Sequence, residues 1–124
     1  KLLESAEKNQ LKPKQTHQLT SLRSILTTGS PLLAESFDYV YQSIKPDVQL
    51  SSISGGSDII SCFALGNPNL PIYQNELQCL GLGMDVKIFN PKGKAVLEEK
   101  GELVCTNPSP SMLNLKSRDS LSKW

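Results

Sequence analysis

Two short stretches hold the residue types that could do chemistry. Thr27-Thr28-Gly29-Ser30-Pro31 sets a glycine and hydroxyls before a proline, and Ser52-Ile53-Ser54-Gly55-Gly56-Ser57-Asp58 sets two glycines and a hydroxyl before one carboxylate. Glycine lets backbone approach a flat ring or a phosphate closely, and the unpaired N–H groups of a helix start are anion donors. The Ser57 hydroxyl can donate to a phosphate oxygen. Asp58 beside it is the hard oxygen ligand that Mg²⁺ takes when it arrives with a polyphosphate. A nucleoside triphosphate with its metal satisfies this inventory. Taken singly, each stretch has a plainer reading: Gly-Gly-Ser-Asp as a turn whose Asp caps a helix, and Gly-Ser-Pro as a helix cap with proline in the first turn. Only a shared position in the fold gives the chemical reading weight.

The surrounding pattern supplies that position. Residues 22–28 (LRSILTT) predict a short buried strand ending in a turn. Ser30 offers an N-cap oxygen, Pro31 fits the first helical position, and Glu35 favours the positive helix end. Leu33, Phe37, Val40, Tyr41 and Ile44 recur at helical spacing, Lys45-Pro46 stops the run, and residues 48–53 (VQLSSI) predict a second strand. Strand, tight loop, helix and strand make a βαβ unit with parallel strands, and ligands of such units bind beyond the carboxyl ends of the strands. Both stretches therefore open on one side of the sheet.

Upstream, Leu2, Leu3, Ala6 and Gln10-Leu11 predict a short helix over residues 1–11. Downstream of Gly81, Met84, Val86 and Ile88 alternate with Asp85 and Lys87 as in a half-buried strand. A turn at NPKGK and a strand at residues 101–105 follow, then a loop at residues 107–111 and a tail expected to fray. The expected class is α/β: a βαβ unit of a mostly parallel sheet followed by an antiparallel β segment.

The 124 residues are about one domain's length, and an apolar fraction of 38% plus eight glycines speaks against a disordered chain. Thirteen basic and twelve acidic residues leave a charge of +1, which gives no reason to expect nucleic acid or an anionic membrane as partner. Cys62, Cys79 and Cys105 form no CxxC pair, and His17 alone cannot complete a zinc site, so free thiols in the cytosol are expected. His17 is expected at the surface and the cysteines as small core residues. No apolar run nears the length of a membrane span. The chain opens on KLLESAEKNQ without methionine, and it is expected to be a piece of something longer.

The series ILTTGSPL, SISGGSDIISCF, LPIYQNELQCLGLGMDVKIFNPKGKAV and GELVCTNPSPSM, in order from about residue 11 to 112, resembles the acetoacetyl-CoA synthetase (acetoacetate–CoA ligase) family. That family lies in the acyl-adenylate-forming superfamily, near acetyl-CoA synthetase. The string around residues 52–63 is highly specific, whereas GSP and GELV are shared across the superfamily.

The resemblance implies ATP-dependent activation of acetoacetate, through an acyl-adenylate, to acetoacetyl-CoA. Substrates and cofactors would be acetoacetate, ATP, Mg²⁺ and coenzyme A. It further implies that Gly29, Ser30 and Pro31 lie along the adenine and Ser52 near its edge. Ser57 would contact the α-phosphate where relatives have threonine, and Asp58 would coordinate Mg²⁺ where most have glutamate. Gly55 falls where acetyl-CoA synthetase has a tryptophan that closes the acyl pocket, so glycine there, with Gly56, would leave room for two more carbons.

The family's lysine-bearing phosphate loop, its ribose-binding aspartate, its hinge and its C-terminal lysine are not in this sequence. Asn75 stands where relatives have glycine, and residues 113–124 leave the pattern. The expectation is a partial adenylation domain over residues 1–112 and a divergent, disordered tail over 113–124. The alternative is a catalytically incomplete fragment or splice product that acts at most as a nucleotide-binding or interaction module.

Overall fold

A computed structural model describes residues 2–109 and 111. The tail expected at residues 113–124 lies outside the described residues. The chain opens with helix α1 (Leu2–Lys8) and a single helical turn, α2 (Pro13–Thr16). Strand β1 (Ser24–Thr27) runs to helix α3 (Ala34–Tyr39), whose last turns widen to π-type spacing over Val40–Ile44. Strand β2 (Gln49–Ser52) then pairs parallel with β1, Ser24 opposite Gln49 through Thr27 opposite Ser52. The predicted βαβ unit is present, with its two carboxyl ends side by side.

Its core forms because the helix buries one face against these strands. Leu32, Phe37, Tyr39, Val40, Val48 and Leu50 make one buried cluster, with Leu3, Ala6, Ile25, Ile44 and Ile72 packed around it. Phe37, Val40 and Leu50 are almost wholly enclosed. Removing each from water stabilises the fold by about 1.5–3 kcal/mol. Two polar ties secure the margins. The Tyr39 hydroxyl donates to the Leu11 carbonyl at 2.9 Å, holding the N-terminal helices to α3, and the Lys45 ammonium donates to the Leu22 carbonyl at 2.7 Å. Burial, and secondarily the Glu7 charge, pushes the Tyr39 phenol above its ordinary pKa.

The helix start differs from expectation. Ser30 and Pro31 do not begin it; the chain bends at Gly29 and Ser30 and runs without helix to Leu33, an extended N-cap without a side-chain bond, and the helix starts at Ala34. The reason is packing: the extended path drops Leu32 into the core, which outweighs the local capping signal at Ser30. Leu33, expected on the buried face, is 54% exposed.

The antiparallel part begins earlier than the alternation at Met84 suggested. Strand β3 (Ser54–Gly56) and strand β4 (Ser61–Leu65) form a hairpin around a 3₁₀ turn, Ser57–Ile59, and β4 also pairs with β5 (Cys79–Leu80). A third sheet places β6 (Val86–Phe89) between β7 (Ala95–Val96) and β8 (Glu102–Cys105), all antiparallel. The predicted β6 alternation holds, with Met84 and Val86 buried and Lys87 exposed. The three cysteines are free and half-buried, and His17 is exposed. Among the described residues no helix is long and apolar enough to cross a membrane.

Candidate functional site

A cleft of about 470 Å³ opens at the carboxyl ends of β1 and β2. One wall is residues 28–33, the extended path between β1 and α3, and the second is residues 52–55, where β2 passes into β3. The two stretches picked out for their chemistry therefore share one cleft, with Gly29, Ser30, Pro31, Ser52 and Gly55 lining it. Its size is within the range of small-molecule sites. Gly29 turns the chain with φ +88°, a backbone conformation that L side chains avoid, and so brings Ser30 and Pro31 round to face β2. Because the helix starts only at Ala34, the wall offers extended backbone rather than helix-end N–H groups at Ser30.

A third wall was not foreseen. Residues 75–77 close the cleft from a segment distant in sequence. Asn75 adopts φ +63°, which accounts for an asparagine at a position resembling glycine, since these two residues tolerate left-handed backbone. The asparagine standing where relatives have glycine is the sequence signal that marks this segment.

Gly56, Ser57 and Asp58 do not line the cleft. Gly56 ends β3, and Ser57 and Asp58 occupy the exposed 3₁₀ turn just beyond Gly55. Ile60 completes that turn at φ +48°, a left-handed conformation that strains a β-branched residue. Asp58 has no hydrogen-bond or ion-pair partner among the described residues, and these hold no cluster of three metal-ligating side chains. A lone free carboxylate fits Mg²⁺ only as one ligand of an ion that keeps its waters and its polyphosphate.

The two glycines of this hairpin differ. A Cβ built on Gly55 would run into the Ser61 carbonyl oxygen and lie 2.8 Å from Cys62 Cα, whereas one on Gly56 would meet nothing within 4 Å. Gly55 is therefore needed for β3 and β4 to approach. Whatever room it gives an acyl group lies over its backbone and not in the direction a side chain would take, and the side-chain-free space is at Gly56.

Strand arrangement and cleft together define a class: the chain has the fold of part of an adenylate-forming ligase domain. The structure of an anthranilate CoA ligase, AuaEII, in complex with anthranoyl-AMP superposes with a TM-score of 0.63 over 75% of this chain and 18% of that one, at 21% identity, a likeness of fold alone. The narrower similarity is to acetoacetyl-CoA synthetases. The structure of acetoacetyl-CoA synthetase from Streptomyces lividans superposes with a TM-score of 0.80 at 38% identity, over 89% of this chain and 18% of that one. The acetoacetyl-coenzyme A synthetase of Rhizobium meliloti (strain 1021) is 54% identical over 112 residues, and that of Macaca fascicularis 54% over 110. Those matches cover 90% and 89% of this chain but 17% and 16% of the relatives, so the chain spans about a sixth of their length. No family model matches it.

Proposed function

We propose that this chain forms the nucleotide- and acyl-facing part of an ATP-dependent acid–thiol ligase that converts acetoacetate to acetoacetyl-CoA, with residues 1–112 as part of its adenylation domain. The carrying observation is the single cleft shared by residues 28–33 and 52–55 at the carboxyl ends of a parallel strand pair, where βαβ folds bind ligands. In the proposed reaction an acetoacetate carboxylate oxygen bonds to the α-phosphorus of ATP as the α–β phosphate bridge breaks and pyrophosphate leaves. Coenzyme A sulfur then bonds to the acyl carbon, the acyl C–O bond breaks with its electron pair going to AMP, and the thiol proton passes to solvent. Positioning and charge neutralisation would supply most of the rate.

In this reading residues 29–31 and Ser52 hold the adenine, the backbone at Gly55 and Gly56 faces the acyl group, and the Ser57 hydroxyl donates to the α-phosphate. Asp58 is one ligand of Mg²⁺, which when bound neutralises phosphate charge. The free thiols support a cytosolic setting, and the near-zero net charge supports small-molecule partners over nucleic acid or a membrane.

A segment exchange tests it. Replacing the matched segment of the Rhizobium meliloti synthetase with residues 1–112 should preserve acetoacetate-dependent ATP–pyrophosphate exchange, and Asp58→Asn in that graft should cut exchange at least about a hundredfold, the scale of losing a group that stabilises transition-state charge. Unchanged exchange in the Asp58→Asn graft would refute the role. A second reading, a catalytically incomplete module with at most weak nucleotide binding, is favoured for the chain alone by the exposed position of Ser57 and Asp58 outside the cleft. The 124-residue chain mixed with Mg-ATP and acetoacetate is expected to release no pyrophosphate; release would remove that reading.

A further inference from the structure

The cleft's third wall is suspended between two glutamines in the sequence Gln74-Asn75-Glu76-Leu77-Gln78, and each glutamine bonds to a different part of the βαβ unit. The Gln74 side-chain amide donates to the Asp38 carboxylate on α3 at 2.8 Å. The Gln78 side-chain oxygen accepts from the Gln49 amide on β2 at 2.9 Å and from the Asn67 backbone N–H at 3.1 Å. The Gln78 amide faces the carbonyls of Leu70 and Pro71, each at 3.0 Å, and of Asn67 at 3.2 Å. Just upstream, Ile72 packs against the core cluster. Residues 75–77 make no ladder pairing of their own, so these side-chain bonds set where the wall stands.

We infer that Gln74 and Gln78 are positioning residues that hold residues 75–77 across the cleft and so set its width for the ligand. This rests on the reading of the cleft as a nucleotide and acyl site. The two ties differ in strength. Gln78 is half-buried with both ends of its amide satisfied, so its loss strands several polar groups at once. Gln74 is exposed and makes one bond to a carboxylate, which solvent screens.

The first measurement is amide hydrogen exchange on the whole 124-residue chain. Gln78→Met should speed exchange at residues 75–77 by about tenfold and Gln74→Met by about threefold, the larger effect at the residue that makes more hydrogen bonds. Amides of β1 and β2 should stay as slow as before. Gln74→Lys should restore the slow exchange, because an ammonium can pair with Asp38, and Gln74→Glu should loosen the segment further by repulsion.

The second measurement is kinetic, in the segment-exchange synthetase. Gln78→Met should raise KM for Mg-ATP about tenfold with kcat within about twofold, the pattern of lost ground-state binding. Residues that merely stabilised the domain would lower the active fraction and leave KM alone. Unchanged exchange at residues 75–77 in both Met variants, or an unchanged KM in an active graft, would overturn the inference. An inactive unsubstituted graft would instead count against the nucleotide reading, and hydrogen exchange would still decide whether the ties hold the wall. The Gln74 series keeps the test open should Gln78→Met fold poorly, since its bond lies at the surface.

Discussion

The βαβ unit and the C-terminal sheet are held together differently. Around α3, six buried side chains form one cluster, and polar ties only trim its margins. Around β6 the apolar interior thins to Met84 and Val86, with Leu97 and Leu103 exposed. There a carboxylate adds to the backbone ladders: Asp85 accepts at 2.5 Å from both the Thr106 hydroxyl and the Asn107 amide, while its backbone carbonyl accepts from the Thr106 N–H at 2.7 Å. The first region is fixed mainly by area removed from water, whereas the second rests on its backbone ladders with a carboxylate tie at one end. The cleft sits on the first kind of ground. Its two main walls leave the carboxyl ends of strands backed by the core.

The contrast can be broken most forcefully at Phe37. This ring is 1% exposed, and Phe37→Ala should cost about 3–5 kcal/mol. A chemical-denaturation midpoint that barely moved would mean the cluster is not what holds the cleft. Next comes the hairpin at the cleft edge. Gly55→Ala drives a Cβ into the Ser61 carbonyl, and forcing β3 from β4 should destabilise by about 1–3 kcal/mol. If Gly55→Ala melts like the parent, the close approach is dispensable and the acyl pocket becomes the better explanation of that glycine.

Much of this architecture was legible in the residues because it rests on local periodicity. The helical spacing of Phe37, Val40, Tyr41 and Ile44, and the alternation of Met84, Val86 and Ile88, each report one buried face. A topological rule then joined two distant loops, Thr27–Pro31 and Ser52–Asp58, on one side of the sheet; residues 29–31 and 52–55 do line one cleft, whereas Gly56, Ser57 and Asp58 fall outside it. What escaped depends on contacts between segments far apart. The helix start moved from Ser30 to Ala34 because Leu32 is drawn into the core, a demand no capping pattern shows. Strand β3 is Ser-Gly-Gly, a composition that avoids strands, and it pairs only because Ser61 and Cys62 come close enough to need glycine. The wall at residues 75–77 is fixed by Asp38 and Gln49, 36 and 29 residues away from their glutamines.

Acid pH should separate the two regions by a smaller effect. The Thr106 hydroxyl, with lesser help from Asn107 and Lys87, holds the Asp85 carboxyl below its ordinary pKa. A carboxyl depressed in the folded state contributes stability that is fully present above its unfolded pKa and is lost as pH falls through the lower folded value. Protection factors of the β6 and β8 amides, taken against intrinsic rates that themselves slow as pH falls, should therefore drop through the acid range, while those around Phe37 hold. Thr106→Val should flatten that dependence by removing the chief cause of the shift. Equal acid sensitivity in both regions would mean that Asp85 does not set the acid response of the C-terminal sheet.

The smallest expected effect is at Gly56, and it is the control that gives the others meaning. Its backbone is extended at φ −160°, which any residue adopts, and a Cβ there meets nothing within 4 Å. Gly56→Ala should change stability by no more than about 0.5 kcal/mol, as for an unconstrained surface site. In the segment-exchange synthetase the added methyl faces the space left by the absent side chain. If that space receives the acyl group, Gly56→Ala should raise KM for acetoacetate while KM for Mg-ATP stays unchanged. A rise in both would place the methyl against the nucleotide. No change in either would take Gly56 out of the acyl site and leave the Gly55 backbone to carry that role alone.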